Sequence, residues 1–156
     1  MFLLISCYTT LATSAIVHAG YSLKIINEST VSPFQVSSYS DSIFLEIISD
    51  SEVEIKDHAF RGFSNIKRLN VSCPKISIAS TSFSDSNNIQ YMTFNNTDLF
   101  GFPPSCFSGA LEEFHYTGEN FYASSIIFLA NTTKEFNVTV TGNCTFYNGE
   151  SYLDQK

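Results

Sequence analysis

One spacing recurs along the middle of the chain. Ile66-x-x-Leu69-x-Val71 is followed 23 residues on by Ile89-x-x-Met92-x-Phe94, and 22 residues later by Leu111-x-x-Phe114-x-Tyr116. A weaker copy, Thr133-x-x-Phe136-x-Val138, comes another 22 residues on. A second landmark, Phe60, Phe83, Phe107 and Phe128, recurs at intervals of 23, 24 and 21. Two landmarks with one period point to stacked coils, because a unit this short cannot bury its apolar residues alone and needs a neighbour on each side. Within each unit the apolar residues alternate as in a strand over the first landmark, so Leu69 and Val71 share an inward face.

Residues 43–141 therefore read as a solenoid of about four or five coils. The stretch VEIKDHAFRGFSNIKRLNVS (Val53 to Ser72) and the stretch GFPPSCFSGALEEFHY (Gly101 to Tyr116) resemble the leucine-rich repeat family, in the form found in extracellular animal proteins. That resemblance implies an α/β solenoid. A short parallel β-sheet would line its concave side, with loops, short helices or 3-10 turns on the convex side. It also implies protein-protein recognition rather than catalysis. The chain departs from the family pattern at the position of the ladder-capping asparagine, where it has Pro74, Thr97, Glu119 and Thr141, with Asn120 and Asn143 slightly late. It has no cysteine-rich flanking cap.

At the amino end of the solenoid, SIFLEIISDSEVEI (Ser42 to Ile55) admits two registers. One puts Glu46 inward, whereas a one-residue slip puts Leu45 and Ile47 there and reverses every side chain. Residues 20–42 are expected to cap the open sheet edge. Residues 142–156 are expected to form a C-terminal cap or tail.

Residues 1–19, MFLLISCYTTLATSAIVHA, read as a signal peptide with small residues at Val17-His-Ala19 for cleavage, although the leading segment lacks Lys and Arg. A buried N-terminal strand is the alternative reading. Later in the chain no apolar run approaches the ~20 residues of a membrane span. Sequons at Asn27, Asn70, Asn95, Asn131, Asn137 and Asn143 also point to secretion and N-glycosylation. With cleavage removing Cys7, the thiols left are Cys73, Cys106 and Cys144. Any two of these could pair, leaving one free or available for a disulfide-linked dimer.

A net charge of -7 with only 8 Lys and Arg argues against a nucleic-acid partner, because phosphate binding needs clustered cations. Phosphate loops, nucleophile elbows and metal-ligand spacings are absent, so no cofactor is expected. The best acid-base pair, Glu113 with His115, has no nucleophile beside it and reads as a solvated pair on a sheet. The expected ligand-binding residues are the outward ones of the concave strands: Lys67, Arg68, Gln90, Tyr91, Thr93, Glu113, His115 and Glu135. Sequons at Asn70, Asn95 and Asn137 fall on that same face, where glycans would compete with a ligand. The apolar segment Asp98 to Pro104 is the alternative contact surface.

The expected function is thus a secreted, glycosylated module that binds another extracellular protein. The alternative is a structural matrix or surface-coat glycoprotein joined through an unpaired cysteine.

Overall fold

The structure is a computed structural model that describes residues 13–86, 88–95, 97–102, 111–124 and 133–147. Its strands run β1 (Ala15–Ala19), β2 (Ser22–Ile26), β3 (Thr30–Val31), β4 (Phe44–Ile48), β5 (Val53–Ile55), β6 (Arg68–Ser72), β7 (Lys75–Ile78), β8 (Tyr91–Asn95), β9 (Asp98–Phe102), β10 (Glu113–Gly118), β11 (Phe121–Ser124), β12 (Glu135–Val140) and β13 (Cys144–Tyr147). From β2 onward the strands alternate between two sheets. The front sheet has the order β1-β2-β4-β6-β8-β10-β12, and the back sheet β13-β11-β9-β7-β5-β3. Every pairing is parallel except that of β1 with β2. The chain is a β-solenoid.

The stacking register explains the repeat. Leu23, Leu45, Leu69, Met92, Phe114 and Phe136 lie side by side across the front sheet, as do Ile25, Ile47, Val71, Phe94, Tyr116 and Val138. All but the β12 members are buried. From the back sheet, Val31, Val53, Ile55, Ile76, Ile78, Leu99 and Phe121 close the same core. A strand buried on one side by its own coil and above and below by its neighbours needs apolar residues at alternate positions only.

Each coil returns from back to front through turns held by i to i+3 backbone bonds, such as Phe63 N to Phe60 O at 3.2 Å and Ser86 N to Phe83 O at 3.0 Å. Adjacent returns are bonded to one another, with Phe60 N donating to Ser82 O at 2.8 Å and Ser86 Oγ to Phe60 O at 2.7 Å. The recurring phenylalanine fills this return: Phe60 stacks on Phe83 with centroids 4.8 Å apart, and Phe63 meets Phe60 edge-on at 5.3 Å. Phe107 and Phe128 lie outside the described residues.

The side opposite the front sheet differs from the expected loops and short helices. A second parallel sheet runs along it, and the described helical structure is one four-residue helix, α1 (Pro33–Val36), and a 3-10 turn at Ser37–Tyr39. Pairs such as Val53 and Ile55, or Ile76 and Ile78, carry the strand alternation a second time within each repeat. That leaves too little chain for a convex helix.

The register at the amino end is the one with Leu45 and Ile47 inward, both at or below 1% exposure, and Glu46 outward. The segment 20–42, expected as a cap, carries β2, β3 and α1, and β2 stacks in register on β4. Edge coverage comes instead from β1, antiparallel to β2 through a two-residue turn at Gly20 and Tyr21. Gly20 adopts φ +60, a conformation that suits glycine at the first central position of a tight hairpin. Ile16 packs on the core, and the His18 ring lies 5.0 Å from that of Tyr39. Residues 15–19 of the expected signal peptide are thus paired into the sheet.

Candidate functional site: the outer face of the front sheet

Parallel register turns sequence positions into rows that run along the solenoid axis. The first row, at the amino ends of the strands, holds Ser22, Phe44, Arg68, Tyr91, Glu113 and Glu135. The second holds Lys24, Glu46, Asn70, Thr93, His115 and Asn137. Ahead of the first row, Lys67, Gln90, Glu112 and Lys134 follow one another through backbone bonds: Gln90 N to Lys67 O at 2.9 Å, Glu112 N to Gln90 O at 2.8 Å and Lys134 N to Glu112 O at 2.8 Å. All eight residues expected to line a binding face therefore lie on one surface, within three adjacent rows.

Their side chains divide that surface by charge. The Arg68 guanidinium sits 4.6 Å over the Tyr91 ring, a cation-π contact that holds it against the sheet. Neither Arg68 nor Lys67 has a carboxylate partner among the described residues. Two strands away, Glu112 accepts from Lys134 Nζ at 2.7 Å and from Gln90 Nε2 at 3.3 Å. The bond and charge of Glu112 push the Lys134 ammonium up from its ordinary pKa. Glu113 faces His115 at 3.8 Å, and Glu135 accepts from Asn137 Nδ2 at 2.7 Å. Glu113 and Glu135 are register partners, so two carboxylates stand on adjacent strands with no Lys or Arg within ion-pair distance among the described residues, although the Lys134 charge, held on Glu112, also acts on Glu113.

Nothing in this geometry adds chemistry to the Glu113 and His115 pair. Both side chains are more than a third exposed, and the His115 ring shares its other side with the Asn137 amide at 3.4 Å. Among the described residues no group of three His, Cys, Asp or Glu is placed to hold a metal ion.

The sequence reading missed the apolar end of this face. Phe44 is 48% exposed in the same row as Arg68, Val17 and Tyr21 are exposed on or beside β1, and Ile26 and Ile48 sit half-buried across from each other on the carboxyl side. The alternation that buries Leu45 and Ile47 necessarily turns Phe44 outward, a signal hidden while the register stayed open. Between these groups Lys24 and Glu46 form a 2.9 Å ion pair.

Sequons divide in a way the sequence did not show. Asn70 and Asn137 occupy the second row and Asn95 the third, while Asn27 and Asn143 lie on the corners beyond the carboxyl ends of the strands. Asn131 and Cys106 lie outside the described residues. At those corners polar side chains bridge coils: Asp98 Oδ1 accepts from the Asn120 backbone at 2.9 Å, Asn120 Oδ1 from the Asn143 backbone at 3.4 Å and Asn27 Oδ1 from the Asp50 backbone at 3.1 Å. These take the place of a regular asparagine ladder. An open depression of about 490 Å³ lies along this corner, lined by Pro74, Asp98, Thr117, Gly118, Glu119, Thr139 and Thr141. Its Asp98 carboxylate is already spent on the coil-to-coil bonds. Leu99, part of the alternative apolar segment, is fully buried.

Of the described thiols, Cys73 is buried and Cys144 exposed, and they are not bonded to each other. Burial raises the Cys73 thiol to a pKa of about 11, against smaller opposing effects of its Thr97 and Lys75 bonds.

The chain matches no family model, no curated protein and no solved structure.

Proposed function

We propose that this chain is a secreted, N-glycosylated recognition module of leucine-rich-repeat character. It binds another extracellular protein on the outer face of its front sheet and carries out no catalysis. One observation carries the reading: a single register row aligns Arg68, Tyr91, Glu113 and Glu135 on a solvent-facing sheet, with opposite charges separated along the solenoid axis. Polar residues that only keep a sheet wet would need no such order, whereas separated charge steers and orients a partner. Solenoids present wide faces of this kind to protein ligands. Among the described residues no helix is long and apolar enough to cross a membrane.

The test is expression in eukaryotic cells, followed by a binding screen of the secreted glycoprotein against an array of extracellular proteins. A partner whose binding weakens when Arg68 and Glu113 exchange charge supports the reading. Absence from the medium defeats the secretory part, and binding that ignores the exchange defeats the placement.

The structural-coat reading keeps one specific support, the exposed Cys144 thiol with Cys73 buried away from it. A disulfide-linked dimer on a non-reducing gel that vanishes in Cys144→Ser would favour that reading. A wholly monomeric secreted protein would remove it.

A further inference from the structure

The placement of sequons and charges together narrows the recognition face to one edge. We infer that the amino-end strip of the front sheet, the first row and the positions just before it, is the docking site. Its occupant is an extended protein segment that presents an apolar residue, then an acidic residue, then a basic residue three or four positions further on. This inference rests on the recognition reading proposed above.

Strip and glycans are separated by the parallel register. Because β2, β4, β6, β8, β10 and β12 all run the same way, their amino ends lie on one side of the front sheet. No described sequon lies on the first row or ahead of it. The nearest, Asn70 and Asn137, are two residues down their strands, roughly 6.6 Å toward the carboxyl ends. Asn95 is two residues further, and Asn27 and Asn143 lie beyond the strands. The glycan attachment points thus stand to the carboxyl side of the strip, not on it.

The occupant follows from what the strip leaves unmatched. Phe44 is exposed, and Lys67 and Arg68 have no carboxylate partner among the described residues. Lys134 is bound to Glu112, so its charge reaches Glu113 only at a distance, and neither Glu113 nor Glu135 has a Lys or Arg within ion-pair distance among those residues; their near partners are His115 and Asn137. Arg68 lies one strand from Phe44, about 4.8 Å, and two to three strands from the two carboxylates, roughly 10 to 14 Å. An extended peptide rising about 3.3 Å per residue and crossing the strands covers the charge separation in three to four residues. Its acid would meet Lys67 and Arg68, its base would sit between Glu113 and Glu135, and its apolar residue would rest on Phe44. A guanidinium in the basic position could bridge both carboxylates, which a lysine ammonium does less well.

The probe is a displayed library of random peptides about a dozen residues long, enough to span the roughly 19 Å from β4 to β12 with slack. It is selected on the glycoprotein secreted from eukaryotic cells. Parallel selections use Arg68→Glu with Glu113→Arg, and the milder Arg68→Gln with Glu113→Gln should the charge exchange impair folding. The expected result is enrichment of the apolar, acidic, spacer, basic order, read in either chain direction. Enriched peptides should bind the Gln variant about tenfold or more weakly, and the shared charge order should be lost on the exchange variant, where Lys67 and Glu135 remain and each end of the strip becomes neutral.

Enriched peptides that bind the variants equally well would overturn the strip while leaving recognition elsewhere on the molecule standing. Loss of binding without any shared charge order would overturn the assigned partner. No enrichment at all would overturn both the strip and the recognition reading.

Discussion

Replacing Phe60 with alanine tests the stacking of the returns. Phe60 is fully buried, lies against Phe83 at 4.8 Å and Phe63 at 5.3 Å, and its carbonyl accepts the Ser86 hydroxyl from the next coil. Truncation removes a buried ring that the rigid backbone ladders around it cannot refill. The transfer and cavity costs together come to about 3–5 kcal/mol. The two ring-ring contacts, each about 0.5–1.5 kcal/mol, place the expected loss toward the upper part of that range. Such a loss approaches the whole stability of a marginal domain of about 5–15 kcal/mol. Phe60→Leu keeps most of the volume and serves as the control. Since the chain has no Trp, urea unfolding is followed by far-UV circular dichroism. Phe60→Leu should lose less than half of what Phe60→Ala loses. A Phe60→Ala loss below about 1 kcal/mol would refute the view that this phenylalanine joins coils, as large buried aromatics do not vanish that cheaply.

Other outcomes follow from the same structure. The native Cys73 thiol keeps its proton to about pH 11, whereas the unfolded chain releases it at the ordinary 9.0, so native stability should fall as pH rises through that window, and Cys73→Ala should flatten the fall. At pH 8 a thiol reagent should label exposed Cys144 quickly and Cys73 only on unfolding; equal rates would contradict the burial. Gly118→Ala would drive a Cβ into the Tyr116 hydroxyl and the Thr97 carbonyl, and should cost about 1–3 kcal/mol in urea unfolding; an unchanged midpoint would show that the corner yields. A chain beginning at Gly20, the one that cleavage after Ala19 would release, lacks β1 and exposes the β2 edge, so it should melt earlier and self-associate relative to one beginning at Thr13; identical melting and a monomeric elution would show that β1 adds nothing.

The repeat, and with it the stacked coils, was legible because burial by neighbours forces the same apolar alternation into every copy. Leu69 and Val71, Met92 and Phe94, and Phe114 and Tyr116 stand where their spacing put them. The outward placement of residues such as Arg68, Tyr91 and Glu113 was legible too, since whatever is not inward on a strand is outward. The register around Glu46 was not. SIFLEIIS is apolar on both faces, and only the pairing of β4 with β2 and β6 decides that Leu45 turns in and Phe44 out. The second sheet was also hidden, because runs as short as Val53 to Ile55 become strands only when the next coil supplies the partner backbone.

The sequence by itself determined that this chain stacks coils of 22 to 24 residues and, in the middle coils, which front-sheet side chains fill them, because periodic apolar burial is a property of local order along the chain. Tertiary structure alone decided what lies beside what. It set Arg68 over Tyr91 and in line with Glu113 and Glu135, put Asn70 and Asn137 in one row two residues further along the strands and Asn95 in the row beyond, and placed Ala15–Ala19 against an edge that would otherwise stand open. Residues more than twenty positions apart become neighbours only through the backbone bonds between coils, and those bonds fix a register that no single repeat encodes.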